Sequence, residues 1–400
     1  MFRAASLLMI FLLALSIAAS PVEIRDSPIT LSVARRLNTS GGTINLLQHD
    51  QSRATALKTV SRDTLSRRSG STVATNDAVY YTAAVGIGSP ATTYNLIVDT
   101  GSSFTWVSAT SYVKTSTSVN TGQPVSVPGY GSGTEYTDTV TLGNLTIIRQ
   151  PIGVISTSTD SVIGVLGIGP LDLTEGILGE SSTMTIPTVT DSLYNQDMIS
   201  QIVVSVSFEP TTSESDINGE LTFGGTDATK YTGAIAYTPL TTTEPASYYW
   251  GITESITYGT TTILTETAGI VDTGTTLILI ASNAYDEYQS ATGATLDETT
   301  GLLRISSTQY SALVNLNFNI GSNTFALTPN GQIWPRALNT YIGGSSDYIY
   351  LIVNNLGTPS GEGLDFINGY TFLERFYSVF DTTNSQVGFA TTAYTNATTN

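Results

Sequence analysis

The chain has 400 residues, 40% of them hydrophobic and only 12% charged, with a formal net charge of -17. That length is enough for one large core or two medium ones, and such acidity argues against nucleic acid or an anionic membrane as a partner. There is no cysteine and a single histidine, which excludes disulfides, thiolate chemistry and Cys-based zinc sites. The histidine, His49, falls in a segment read below as removed. The mature chain then lacks a Ser-His-Asp triad, a Cys-His pair and a two-His zinc motif. Paired carboxylates, a Ser-Lys pair or carboxylate-bound metal remain.

The N-terminus reads as a signal peptide over residues 1–20. Arg3 is followed by an apolar run from Leu7 to Ile17 and by the small residues Ala18-Ala19-Ser20, a pattern too short for a membrane span. Residues 21–68 read as a basic pro-segment. Residues 1–68 hold nine Lys/Arg against four acidic residues, whereas residues 69–400 hold six against 28. Arg67-Arg68 is a candidate dibasic processing site at this switch of composition. A basic segment on an acidic body is held in part by charge, and falling pH weakens that attraction as carboxylates take up protons near pH ~4.

From Val79 onward the chain is strand-like. Tyr80 to Gly88 is a β-prone run ending in turn residues, Tyr136 to Leu142 alternates before the turn Gly143-Asn144, and Ile202 to Phe208 and Glu220 to Phe223 repeat the style. Short helices are expected at Asn283–Ser290 and Ser307–Asn315. The fold class is therefore all-β with a few short helices. One internal repeat stands out: Ile97-Val98-Asp99-Thr100-Gly101-Ser102 recurs as Ile270-Val271-Asp272-Thr273-Gly274-Thr275. One copy per half suggests two similar lobes, 69–240 and 241–400.

An apolar strand delivers each Asp to a strand end, Gly permits a tight turn there, and a hydroxyl follows. Two such loops meeting across a lobe interface bring two carboxylates within a few Å. They cannot both ionise easily, so they share a proton and supply an acid and a base together. A water between them needs no protein nucleophile, which suits a chain without Cys or a retained His.

With these blocks the chain resembles the pepsin family of aspartic proteases, and within it the polyporopepsin-like enzymes of basidiomycete fungi, over nearly all of residues 78–390. The resemblance implies a bilobal β fold and a secreted, acid-active, pepstatin-sensitive endopeptidase, made as a zymogen. Asp99 and Asp272 would be the catalytic pair. Ser102 and Thr275 would hydrogen-bond the outer carboxylate oxygens, Thr100 and Thr273 would brace the two loops, and Gly101 and Gly274 would hold the water or the substrate backbone. Tyr130-Gly131-Ser132-Gly133 resembles the flap, with Tyr130 reaching towards Trp106 and a tip shorter than is usual in the family. Val165-Leu166-Gly167 resembles the support behind the first Asp loop. Phe366-Ile367-Asn368-Gly369 is its counterpart, with Asn368 at a position often apolar in pepsins. Ile97, Tyr130, Val165 and Thr276 would line the cleft near the scissile bond and favour apolar or aromatic side chains.

No cofactor and no metal are implied, since no Asp-rich loop of Ca²⁺ spacing occurs. The expected partners are protein and peptide substrates and the chain's own pro-segment as an intramolecular inhibitor; the enzyme is expected to be an extracellular monomer. Asn38, Asn144 and Asn396 begin N-glycosylation sequons. Two other readings start from the same residues: a catalytically silent pepsin-like binding or inhibitor protein, and a two-carboxylate glycosidase. Proteins of the first kind usually lose one aspartate or its hydroxyl partner, whereas both blocks are intact here; the second explains neither the duplicated Asp-Thr-Gly blocks nor the flap-like Tyr130 loop.

Overall fold

The computed structural model describes residues 28–37, 43–59, 79–157, 164–179 and 182–399. The expected signal peptide, the Arg67-Arg68 site and the Asn38 sequon lie outside them. Strands dominate the described residues. They form a 13-stranded sheet, a seven-stranded sheet and a three-stranded sheet. The helices are short; Ser282–Thr292 covers the expected Asn283–Ser290, whereas Ser307–Ala312 stops three residues before the expected Asn315, because Leu313 is already extended at ψ 143°. Ser306 and Gln309 cap the start of the second reciprocally, and Gly293 closes the first in the left-handed conformation at φ 66°.

Alternation decides which faces are buried. In the strand Gly131–Leu142 the residues Tyr136, Asp138, Val140 and Leu142 turn inward, as a period of two requires. With no cysteine available, large side chains fill the interior: Trp106, Trp334, Tyr81, Tyr288, Tyr350 and Tyr370 are all fully buried. Tyr81 stacks on Phe208 with ring centroids 3.6 Å apart.

The N-terminal strand Ile29–Leu37 is not laid on the surface. It is inserted between Ser215–Phe223 and Val79–Ile87, antiparallel to both, inside the large sheet. Backbone pairing and the burial of Ile29, Leu31 and Val33 therefore seat this segment as much as charge does. Within this strand, charge acts in the interior at Arg35. Arg35 is fully buried, 3.6 Å from Glu374 and within 6 Å of the Trp334 and Tyr370 rings.

The chain passes from the large sheet to the seven-stranded sheet between the strands Thr232–Pro239 and Gly251–Tyr258. It then returns: Phe376–Asp381 and Gln386–Thr391 pair with Val203–Phe208 and Thr232–Pro239 in the large sheet. Residues from both halves thus share one sheet. The internal repeat has its structural counterpart in two parallel pairings. Ile97, Val98 and Asp99 run beside Val165, Leu166 and Gly167, and Ile270 and Val271 run beside Ile367 and Asn368.

Candidate active site

Asp99 ends the strand Thr92–Asp99, and Asp272 follows the strand Thr261–Val271 directly. Each carboxylate is held in the same way. Gly101 N–H donates to Asp99 Oδ1 at 2.9 Å and Ser102 Oγ to Oδ2 at 2.5 Å. Gly274 N–H donates to Asp272 Oδ1 at 3.0 Å and Thr275 Oγ1 to Oδ2 at 2.6 Å. The two loops are tied by a reciprocal pair: Thr100 N–H donates to Thr273 Oγ1 and Thr273 N–H to Thr100 Oγ1, both at 2.9 Å. Each hydroxyl then donates across to the other loop, Thr100 to Val271 O at 3.2 Å and Thr273 to Val98 O at 2.9 Å. Four buried bonds so arranged hold both carboxyls in one geometry, because each hydroxyl is donor and acceptor at once.

The space between the carboxylates is filled by a residue that the sequence did not single out. Arg53, on the N-terminal helix Leu46–Lys58, puts Nη2 2.5 Å from Asp99 Oδ1 and 2.9 Å from Asp272 Oδ1, and Nε 2.7 Å from Asp272 Oδ2. One nitrogen bonds both inner oxygens, so the gap between them admits one hydrogen-bonding atom. A Cβ on Gly101 would stand 2.4 Å from Arg53 Nη2 and 2.7 Å from Asp272 Oδ1; only glycine leaves this volume open. The helix has a second anchor in the buried Asp50, which accepts from Leu277 N–H at 2.7 Å and Thr276 N–H at 3.3 Å.

The electrostatics divide the pair. Burial alone would raise the Asp272 carboxyl, but the charge and hydrogen bonds of Arg53, with those of Thr275 and Gly274, outweigh it and hold Asp272 below the usual carboxylate range. For Asp99 burial prevails. Arg53 opposes it, the neighbouring Asp272 charge adds to it, and the carboxyl is pushed up. The pair together pushes the Arg53 guanidinium well above its usual value despite burial.

The remaining residues expected at the site fall into three groups. Tyr130 sits in the turn between the strands Val119–Val127 and Gly131–Leu142, half-buried, with its ring centroid 4.9 Å from that of Trp106. Gly131 faces Val127 across that hairpin and Ser132 is exposed beside Ser126. Ile97, Trp106 and Val165 belong to the small apolar cluster against which Tyr130 packs, together with Val125, Val127 and Ile155. Thr276 is wholly buried, its hydroxyl 3.4 Å from Val79 O and its N–H turned to Asp50. Among the described residues no group of three or more His, Asp or Glu side chains is arranged to hold a metal.

Comparison with known proteins bears on the same blocks. The family described as Eukaryotic aspartyl protease matches residues 80–392. The chain is 62% identical over 338 residues to polyporopepsin of Irpex lacteus, which spans 83% of this chain and 99% of that protein. It is 31% identical to pepsin A of Callithrix jacchus over 78% of this chain and 81% of that one. Among solved structures, the aspartic proteinase of Irpex lacteus superposes with a TM-score of 0.80 at 54% identity, covering 94% of this chain and all of that one. The Asp-Thr-Gly pair, the all-β fold and these likenesses agree, and the chain belongs to the pepsin family of aspartic proteases, as an aspartic-type endopeptidase acting on protein substrates.

Proposed function

We propose that Asp99 and Asp272 are the catalytic pair and that a water molecule takes the place now filled by Arg53 Nη2. The observation that carries this reading is the single nitrogen bonded to both inner carboxylate oxygens. With the guanidinium gone, a water there donates to the ionised carboxylate and accepts from the protonated one. One carboxylate takes a proton from the water as its oxygen attacks the scissile carbonyl carbon. The other, protonated, carboxyl gives its proton to the carbonyl oxygen, and a gem-diol forms with no covalent bond to the protein. A proton then passes to the amide nitrogen, the C–N bond breaks, and acid and amine leave with the dyad restored. Ser102 and Thr275 keep the outer oxygens engaged, so the inner ones face the water.

The segment 28–59 is the enzyme's own inhibitor in this reading. Its strand occupies an interior place in the large sheet, and its helix lays Arg53 on the dyad. Residues 1–20 direct secretion, and cleavage after Arg67-Arg68 separates inhibitor from enzyme. The flap turn carrying Tyr130 closes on an extended peptide whose backbone pairs with strand edges of the cleft. The apolar cluster of Ile97, Trp106 and Val165 behind it supports a preference for apolar or aromatic residues around the scissile bond. The test is cleavage of denatured haemoglobin or casein by the processed enzyme at pH 3–5 with increasing pepstatin. One inhibitor per active site supports the dyad; activity untouched by pepstatin overturns it.

A further inference from the structure

One buried ionisable side chain in the seven-stranded sheet takes no part in the proposed reaction. Glu254 lies on the strand Gly251–Tyr258, whose inward positions are Ile252, Glu254, Ile256 and Tyr258, and it is fully buried. Its Oε2 accepts a 2.9 Å bond from Asn368 Nδ2. Its Oε1 is buried without a partner, and so is Asn368 Oδ1. The pair therefore holds one bond and two orphan acceptors.

The surroundings offer nothing to a charge. The seven strands of this sheet contain no Lys, Arg or His. Across the sheet Glu254 faces Thr267 on one side and Ile320 on the other. The other titratable groups on the neighbouring elements are Tyr248, Tyr258, Glu266, Asp272, Asp365, Tyr370 and, on the helix Ser282–Thr292, Tyr285, Asp286, Glu287 and Tyr288. Of these, Asp365 is engaged by Thr267 Oγ1 at 2.5 Å, and none is bonded to Glu254. A carboxylate in such a place pays a large desolvation cost with one neutral donor to offset it. A neutral carboxyl resolves both orphans. Its O–H gives Asn368 Oδ1 the donor it lacks, while its other oxygen keeps the Asn368 N–H, as a carboxylic acid pairs with a primary amide. Burial, opposed only by the Asn368 bond, pushes the Glu254 carboxyl up to about 8.

Asn368 also touches the catalytic loop. Its backbone oxygen accepts the Asp272 N–H at 3.1 Å, and it lies beside Val271 in the parallel pairing. We propose that Glu254 carries a proton through the acid and neutral range, and that the Glu254–Asn368 acid–amide pair is a positioning element behind Asp272, which fails when that proton is lost. The positioning part rests on the catalytic reading of Asp272; the proton does not.

The sign follows from the two states. In the unfolded chain Glu254 ionises near its usual value, 4.5. Between there and about 8 only the folded chain keeps the proton, so stability falls as pH rises across that window, by about tenfold in the folding constant per pH unit. Below it both states hold the proton and the dependence on pH vanishes. The test uses the full chain, wild type and Glu254→Gln, unfolded in urea at pH 5 to 8, with infrared difference spectra of the carboxyl region. Glutamine retains both bonds of the pair without a titrating proton. The wild type should lose about tenfold more per pH unit than Glu254→Gln, and the variant should lack one protonated-carboxyl C=O band at pH 7. The double variant Glu254→Leu/Asn368→Leu should show the same flattened dependence. Equal slopes in all three chains, or an undiminished band in Glu254→Gln, overturn the proposal. In the processed enzyme Asn368→Leu should lower kcat with KM held, and an unchanged kcat would remove the positioning role. Neither the urea nor the infrared reading depends on activity, so they stand or fall apart from the role of Asp272.

Discussion

Replacing Arg53 by Gln tests how the N-terminal helix is held on the dyad. Arg53 makes three short charged bonds, two to Asp272 and one to Asp99, and both acids are buried. Removing one partner of a buried ion pair costs about 3–5 kcal/mol, because the charges left behind are unpaired. At about 1.4 kcal/mol per tenfold, the balance between seated and displaced helix shifts by roughly 150- to 4000-fold. The pH dependence has a definite sign. Asp272 is held below its usual value of 3.8 by Arg53, so the stabilisation is complete above that value and is lost as pH falls through the depressed one. The wild-type chain should therefore exclude ligand from the cleft at pH 6 and open in acid, whereas Arg53→Gln should already be open at pH 6. The assay is pepstatin binding, by calorimetry, to an uncleaved chain with Arg67 and Arg68 both changed to Ala. Arg53→Lys should fall between, since an ammonium cannot reproduce the guanidinium's two-nitrogen grip. Equal pepstatin affinity for wild type and Arg53→Gln at pH 6 would refute this account, and the lock would then be the strand Ile29–Leu37 with Asp50.

Two further predictions concern the dyad's supports. Ser102→Ala removes a 2.5 Å hydroxyl bond from Asp99. A charge-assisted bond contributes about 1.5–3 kcal/mol, so the Asp99 carboxyl should rise by about one to two pH units and the kcat/KM profile, which reports the pair, should move upward in pH. Thr273→Val leaves the Thr100 N–H without its acceptor and Val98 O without its donor. Thermal unfolding should show a loss of about 1–3 kcal/mol for each buried group so stranded, and the same loss with pepstatin bound would show that the brace belongs to the fold rather than to ligand binding.

The dyad was legible in sequence because its information is local. Six consecutive residues specify strand, carboxylate, turn and hydroxyl, and they occur twice. The supports behind the loops were legible for the same reason: Val165-Leu166-Gly167 is a short apolar run ending at a glycine, and Phe366-Ile367-Asn368-Gly369 repeats it with one polar residue inserted. Arg53 was not, because a lone arginine in Leu46–Lys58 follows no period, and only the tertiary path of the helix brings it to the carboxylates. The basic charge of the N-terminal segment pointed to an electrostatic attachment. It did not show that Ile29-Thr30-Leu31-Ser32-Val33, which alternates as a strand does, would enter the large sheet, nor that Arg35 would be buried beside Glu374. Thr276, expected to line the cleft, has its hydroxyl turned to Val79 O, a contact that depends on a strand nearly two hundred residues away. Glu254 did leave a signal, since the alternation of Ile252, Ile256 and Tyr258 assigns it an inward position. A charged residue at an inward place of a β pattern is the cue to a buried ionisable group.

The most direct test of the central claim is peptide hydrolysis at pH 4 by processed Asp99→Asn and Asp272→Asn enzymes, each first shown by thermal unfolding to be folded. Either substitution removes the shared proton's second site while keeping the side chain's size. Each alone should abolish turnover, leaving no more activity than the double variant shows. Substantial hydrolysis by either single variant would contradict it, since one carboxyl would then suffice.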